Sequence, residues 1–235
     1  MTFKHCLFSA VLASLPITTL AAPQVSLDMG WDSKYVSQGR DNLDKGGIYW
    51  STLAVEQGNL HGYATVGRGD SVHYTEWNYG LQYSLPQVYG FETVLGYQRN
   101  EIYGDERSHD NEFSAEISYQ QLSWITPSIN YTYATEADGY FIELALQHDW
   151  QVTSKLTISP YLHQSFDYGY VSAEHDGVNN LLIGVEAQYQ LTSQLVLSAQ
   201  INQSFAQQDI KQENADDPSA KLDQTFAGIH LTYQF

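Results

Sequence analysis

Cysteine is almost missing from this chain: among 235 residues the one example is Cys6. It sits in an N-terminal segment that reads as a secretory signal, with Lys4 as the positive start, an apolar run from Cys6 to Leu20, and the small residues Ala21 and Ala22 at the expected cut. That run is too short to span a bilayer as a helix, and Cys6 lacks the surroundings of a lipoprotein cysteine. Residues 1–22 are therefore expected to be removed and 23–235 to form the mature protein, without thiol chemistry or disulfides. Positive charge is scarce as well. Lys and Arg total 10 against 27 Asp and Glu, a formal charge of −17, and loss of Lys4 makes the balance one unit more negative. Nucleic acid is excluded as a partner, because phosphate contact needs clustered Lys and Arg. Beyond residue 22 no apolar stretch approaches the length of a transmembrane helix, so a helical membrane protein is excluded too.

Aromatic and uncharged polar residues are plentiful instead. The chain has 18 Tyr, 9 Phe and 5 Trp, with many Gln, Ser, Thr and Asn, and only 16% of it is charged. This composition suits a wall with one wet and one apolar face. The order of the residues supports that reading, because apolar and polar side chains alternate with period two. Val25, Leu27, Met29 and Trp31 oppose Ser26, Asp28, Gly30 and Asp32, while Phe113, Ala115, Ile117 and Tyr119 oppose Glu112, Ser114, Glu116 and Ser118. A helical period would not gather these residues on one side. The pattern predicts twelve strands, at 24–37, 47–57, 60–69, 72–84, 90–100, 111–121, 124–135, 139–150, 155–167, 179–190, 194–206 and 224–235. The alternation is least clean in 47–57 and 60–69.

Connections between the strands are alternately short and long, except that 70–71 and 136–138 are short on the long side. Those at 58–59, 85–89, 122–123, 151–154 and 191–193 are short, whereas 38–46, 101–110, 168–178 and 207–223 are longer and charged. The expected fold is all-β, a transmembrane antiparallel up-and-down β-barrel of about twelve strands with both termini periplasmic, in the outer membrane of a Gram-negative bacterium. A secreted β-sandwich would also alternate. It would not place outward aromatics at both strand ends. Tyr83, Phe91, Tyr119, Trp150, Tyr189 and Tyr233 lie toward the turns, and Tyr35, Phe113, Tyr133, Tyr140, Phe166 and Phe205 toward the loops, as two girdles around a lipid band. The chain stops at Phe235, with Tyr233, Leu231 and Ile229 on the same face. This resembles the C-terminal signature of outer-membrane proteins, which implies the barrel-assembly machinery as a partner during insertion.

The inward face gathers carboxylates: Asp28, Asp32, Glu76, Glu92, Glu112, Glu116, Glu143, Asp149, Asp167 and Glu186. Inward bases are few, namely Lys34, with Arg68 and His163 as further candidates. Asp32, Glu76, Glu116, Glu143 and Glu186 are expected near mid-height, where acidic side chains in a narrow wet passage would favour cations. The opposing reading is a filled lumen in which the carboxylates bind Tyr, Gln, Lys and Ser partners and nothing passes. The 168–178 loop is long enough to fold inward. The acidic stretch Gln212 to Asp217 could take divalent cations, although a solvated loop explains it more simply.

Enzymatic chemistry has weaker support. His163, Ser165 and Asp167 share the inward face of one strand, but residues two apart lie about 6.6 Å from each other, too far for a nucleophile to meet its base. Strand parity places Glu143 opposite His163, able to orient the imidazole. No catalytic residue, metal site or cofactor is expected.

Asp32-Ser33-Lys34-Tyr35-Val36-Ser37-Gln38-Gly39-Arg40 resembles the opening of the TorF-like family of porin-like barrels, with Lys34 where an acid is expected and the Gly39-Arg40 order reversed. The resemblance implies a porin-like architecture and supplies no catalytic residues. The expectation is a porin-like channel for passive diffusion of ions or small polar or cationic solutes, lined by Asp32, Lys34, Glu76, Glu116, Glu143, His163 and Glu186, and surrounded by outer-membrane lipids and lipopolysaccharide. The alternatives are a non-conducting barrel whose loops form a surface module and, behind it, a lipid hydrolase with its site at the rim.

Overall fold

In a computed structural model of the protein the described residues are 22–43, 45–104, 107–173 and 176–235, so the expected export segment lies almost wholly outside them. The rest is a closed antiparallel barrel of twelve strands. They are β1 (Gln24–Asp32), β2 (Ile48–Gln57), β3 (Leu60–Gly69), β4 (Thr75–Ser84), β5 (Phe91–Tyr103) and β6 (Arg107–Tyr119). They continue with β7 (Thr126–Ala134), β8 (Gly139–Gln147), β9 (Leu156–Tyr168), β10 (Asp176–Gln190), β11 (Leu195–Ala206) and β12 (Gln224–Gln234). Each pairs with its neighbours in sequence, and β1 closes the ring on β12 with Ser26 opposite Gln234 and Asp32 opposite Gly228. Closure leaves no strand edge unpaired, which is what a wall in hydrocarbon requires.

The barrel is apolar outside and polar inside. Leu53, Ile201 and Ile229 point outward and are 50%, 56% and 50% exposed, whereas the inward Asp167 and Ser204 are 0% exposed. A water-soluble sandwich would bury the first group, so this wall needs a lipid solvent. Outward aromatics occupy both strand ends, with Phe91 against Tyr119 at 4.8 Å on the turn side and Tyr97 against Phe113 at 5.4 Å nearer the loops.

Two inward rings explain why β2 and β3 alternate poorly in sequence. Trp50 lies over Gly67 across the β2–β3 pair, and Tyr63 over Gly80 across β3–β4. A methyl group at Gly80 would stand 2.0 Å from the Tyr63 ring, so each glycine is the space its neighbour's ring fills.

The structure corrects several boundaries. Strand pairing of β1 ends at Asp32, not at 37, because Ser33 closes it by accepting from Ala227 N–H and donating its own N–H to Ala227 O at 2.8 Å. Beyond that point parity no longer dictates direction, and Tyr35, expected in the outer girdle, turns inward with its ring edge on Trp50 at 5.2 Å. Arg68 faces out: it shares the outer wall with Tyr49 and Thr75 and donates to Thr75 Oγ1 at 2.7 Å. The loop at 207–223 opens with a short helix, α1 (Gln208–Glu213), packed on β10 and β11.

Candidate functional site

The register places every expected lining residue of the strands on the inner face. Glu116 and Glu143 both flank Asn130 of β7, and Glu186 lies between Ser159 and Gln200. They stand at different levels. Asp32 ends β1 and Glu76 is second in β4, both at the loop end, while Glu116 and Glu186 lie toward the turns. Lys34 lies beyond β1, 3.4 Å from Asp41 and donating to Gln224 at 2.6 Å.

Three groups of carboxylates emerge, with different surroundings. On the turn side a cavity of about 380 Å³ is lined by Glu116, Glu143, Asp149 and His163 with Ser128 and Asn130. Here Glu143 stands directly opposite Ser165, and His163 opposite Ala145, so the expected pairing is off by two residues. The contact survives as a diagonal, with His163 Nδ1 3.2 Å from Glu143. Ser165 Oγ donates to the same carboxylate at 3.4 Å. Serine and histidine thus share an acceptor and do not form a nucleophile–base pair.

On the loop side Glu76 is buried and accepts from Tyr35 at 2.7 Å, Tyr74 at 2.5 Å and Asn78 at 2.7 Å. Burial first, and then the Glu76 charge, pushes the Tyr35 and Tyr74 phenols well above their ordinary value, so both remain donors. Glu112 accepts from Tyr170 at 2.5 Å and Asn100 at 2.6 Å; burial and then Glu112 likewise hold the Tyr170 phenol protonated. These carboxylates anchor loops. A third group lies by the β1–β12 seam, where His230 reaches Asp28 at 3.0 Å and Asp32 at 3.5 Å, and Gln200 donates to Asp32 at 3.2 Å.

The loop end also holds an element that sequence reading missed. Val36–Ser37 and Arg40–Asp41 form a two-residue hairpin whose tip, Gln38 and Gly39, has φ of 45° and 79°. Two consecutive positive φ values mark a type I′ turn, which favours glycine at its second position. The available signal was the Gln38-Gly39 pair, weaker than the Asn-Gly that usually announces such a turn. The hairpin enters the barrel. Its tip bounds one cavity of about 280 Å³ against Thr132, Phe141 and Glu143, and another of about 460 Å³ against Glu76, Asn100 and Glu112.

Opposite the tip, Tyr170 of the 169–175 connection packs on Phe141 at 5.6 Å, so that connection, whose length left the matter open, sends a side chain inward. Glu174 and His175 lie outside the described residues. A β-bulge in β10 inserts Asn179 between the pairs Ser165–Asn180 and Phe166–Val178. Its side chain donates to Gln38 O at 2.8 Å.

No protein-family model matches the chain, and no curated protein matches its sequence. Solved structures do. A structure described as the KdgM porin aligns at a TM-score of 0.60 with 9% identity, covering 89% of this chain and 99% of that one. A second, the KdgM porin in complex with disordered oligogalacturonate, aligns at 0.59 with 9% identity over 90% and 99% of the two chains. The NanC porin aligns at 0.57 with 10% identity over 89% and 98%. At such identities the likeness establishes the fold: this chain has the architecture of outer-membrane porins.

Proposed function

We propose that the protein is an outer-membrane channel for passive diffusion of ions and small polar solutes, with a preference for cations. The barrel fold shared with porins supports the general reading, and the acidic turn-side cavity around Glu116 and Glu143 supports the preference. In this reading Asp32, Glu116, Glu143 and Glu186 shape the field of the passage, with His163 modulating Glu143. Glu76, held by three donors, acts mainly as a loop anchor. Lys34 and Arg40 each stand against carboxylates, so their charges are largely offset locally. Carboxylates in a low-dielectric passage concentrate counter-ions and repel anions.

The short turns and both chain ends are assigned to the periplasmic side, residues 1–22 to a cleaved export signal, and the outer wall to lipid and lipopolysaccharide. Barrel-assembly machinery would read Phe235, Tyr233, Leu231 and Ile229. The TorF-like resemblance of residues 32–40 fits the same porin-like assignment. Oligogalacturonate, bound by one KdgM structure, is a polyanion, and an acidic lumen disfavours a solute of that charge.

The inserted hairpin favours one other reading, a barrel that stays shut and works through its loops. Liposome swelling distinguishes the two. Vesicles carrying the refolded protein are expected to swell faster in a small cationic solute than in an anionic one of equal size. Equal rates would remove the charge preference, and no swelling with any solute would favour the closed barrel.

A further inference from the structure

The residues shared by the two loop-side cavities show what separates them. Ser37, Gln38 and Tyr170 line both, so they form the wall between them. The deeper cavity in turn shares Asn130 and Glu143 with the acidic one below it. The three cavities thus form a series, and movement along it from Glu76 to Glu116 passes between the hairpin tip and Tyr170.

One side chain ties that tip in place. Arg40 Nη1 donates at 2.9 Å to Gln38 O, across the turn, and at 2.9 Å to Asn179 Oδ1 on the β10 bulge. Its Nη2 donates to Asp209 of α1 at 3.1 Å and lies 3.9 Å from Asp167 at the end of β9, and Nε donates to Glu213 at 2.8 Å. Asp167 and Asp209 are fully buried. Arginine alone offers donors in several directions from one plane, so a single guanidinium joins hairpin, bulge, helix and strand end. Gly39 closes the contact from the other side: a Cβ there would stand 2.8 Å from Asn180 Cβ.

We propose that the hairpin Val36–Asp41 is the constriction that limits the size of permeating solutes, and that Arg40 is the positioning residue that latches it in the lumen. This inference rests on the channel reading above, and it deepens it by naming the element that sets the size limit. It also gives a role to the segment that carries the TorF-like resemblance, which selectivity by carboxylates leaves unexplained.

The test compares the full mature protein with Arg40→Ala and with Asp209→Asn/Glu213→Gln, both in planar bilayers and with a spin label on Gln38→Cys, a position open to labelling because the mature chain is expected to lack cysteine. Folding is checked by the barrel's heat-dependent migration on gels, and the carboxylate variant serves if Arg40→Ala does not fold. The expected result is a sharpened label spectrum, a conductance rise of roughly twofold or more as the section widens, and entry of larger neutral polymers, with the sign of ion selectivity unchanged. A label that stays immobile in a folded variant overturns the latch. A freed label with unchanged conductance in a conducting protein overturns the constriction. If neither wild type nor variant conducts while the label is freed, the channel reading fails and the constriction with it, although the latch stands.

Discussion

At the scale of single residues, carboxylates that look equivalent in sequence separate by what surrounds them. Glu76 and Glu116 both alternate correctly with apolar neighbours, and both face inward. Glu76 holds Tyr35, Tyr74 and Asn78 and is 5% exposed, whereas Glu116 lines an open cavity. Replacing Glu76 with Ala would leave those donors without their acceptor, at a cost of about 1–3 kcal/mol for an unsatisfied buried group. We predict that Glu76→Ala lowers the urea midpoint of the refolded barrel with little change in ion selectivity, and that Glu116→Gln does the reverse. A fall in selectivity with unchanged stability in the Glu76 variant would show that Glu76 belongs to the passage. Period-two alternation tells which side most strand residues face, and it fails at Arg68 and, beyond the end of β1, at Tyr35. It carried no information on which partners lie across the lumen, because those come from strands and loops distant in sequence, as with Tyr35 and Glu76.

At the scale of elements, the strands were legible where the lumen face is polar and obscure where it holds rings. Trp50 and Tyr63 break the alternation of β2 and β3 because each covers a glycine on the next strand. The glycines and rings therefore make sense only as cross-strand pairs. Gly80→Val would push the Tyr63 ring off its site and away from Gln98, to which its hydroxyl donates. Overpacking of this kind costs about 1–3 kcal/mol. A lower denaturation midpoint in Gly80→Val, largely restored by Tyr63→Ala in the same chain, is the expected outcome; two independent losses would contradict the pairing. The 36–41 hairpin was read as the end of a strand and the start of a loop. After Val36 its residues are all polar or glycine and carry no alternation to mark a second strand, and the chain reverses at the two positive φ values of Gln38 and Gly39. The bulge at Asn179 was equally hidden, since one extra residue in a long strand leaves the local pattern almost intact. The two features that hold the constriction were thus the hardest to read.

At the scale of the whole molecule, closure and charge determine what the barrel can do. Twelve strands enclose an interior wide enough for separate polar cavities, between small barrels filled by side chains and large ones with open channels. The strand number and the outward apolar band were readable from the sequence because the alternation repeats from strand to strand around the ring, and the inward acidic face because its carboxylates recur at polar positions of several strands. What the loops do inside was not, because it occurs once. The central claim, that the acidic interior passes cations, is a property of the entire lumen. It is tested most directly by the reversal potential of the refolded protein in a planar lipid bilayer under a potassium chloride gradient, beside the variant Glu116→Gln/Glu143→Gln. The account predicts a cation-selective potential that shrinks toward zero in the variant. An anion-selective potential, or a cation-selective one that the double substitution leaves unchanged, would contradict it.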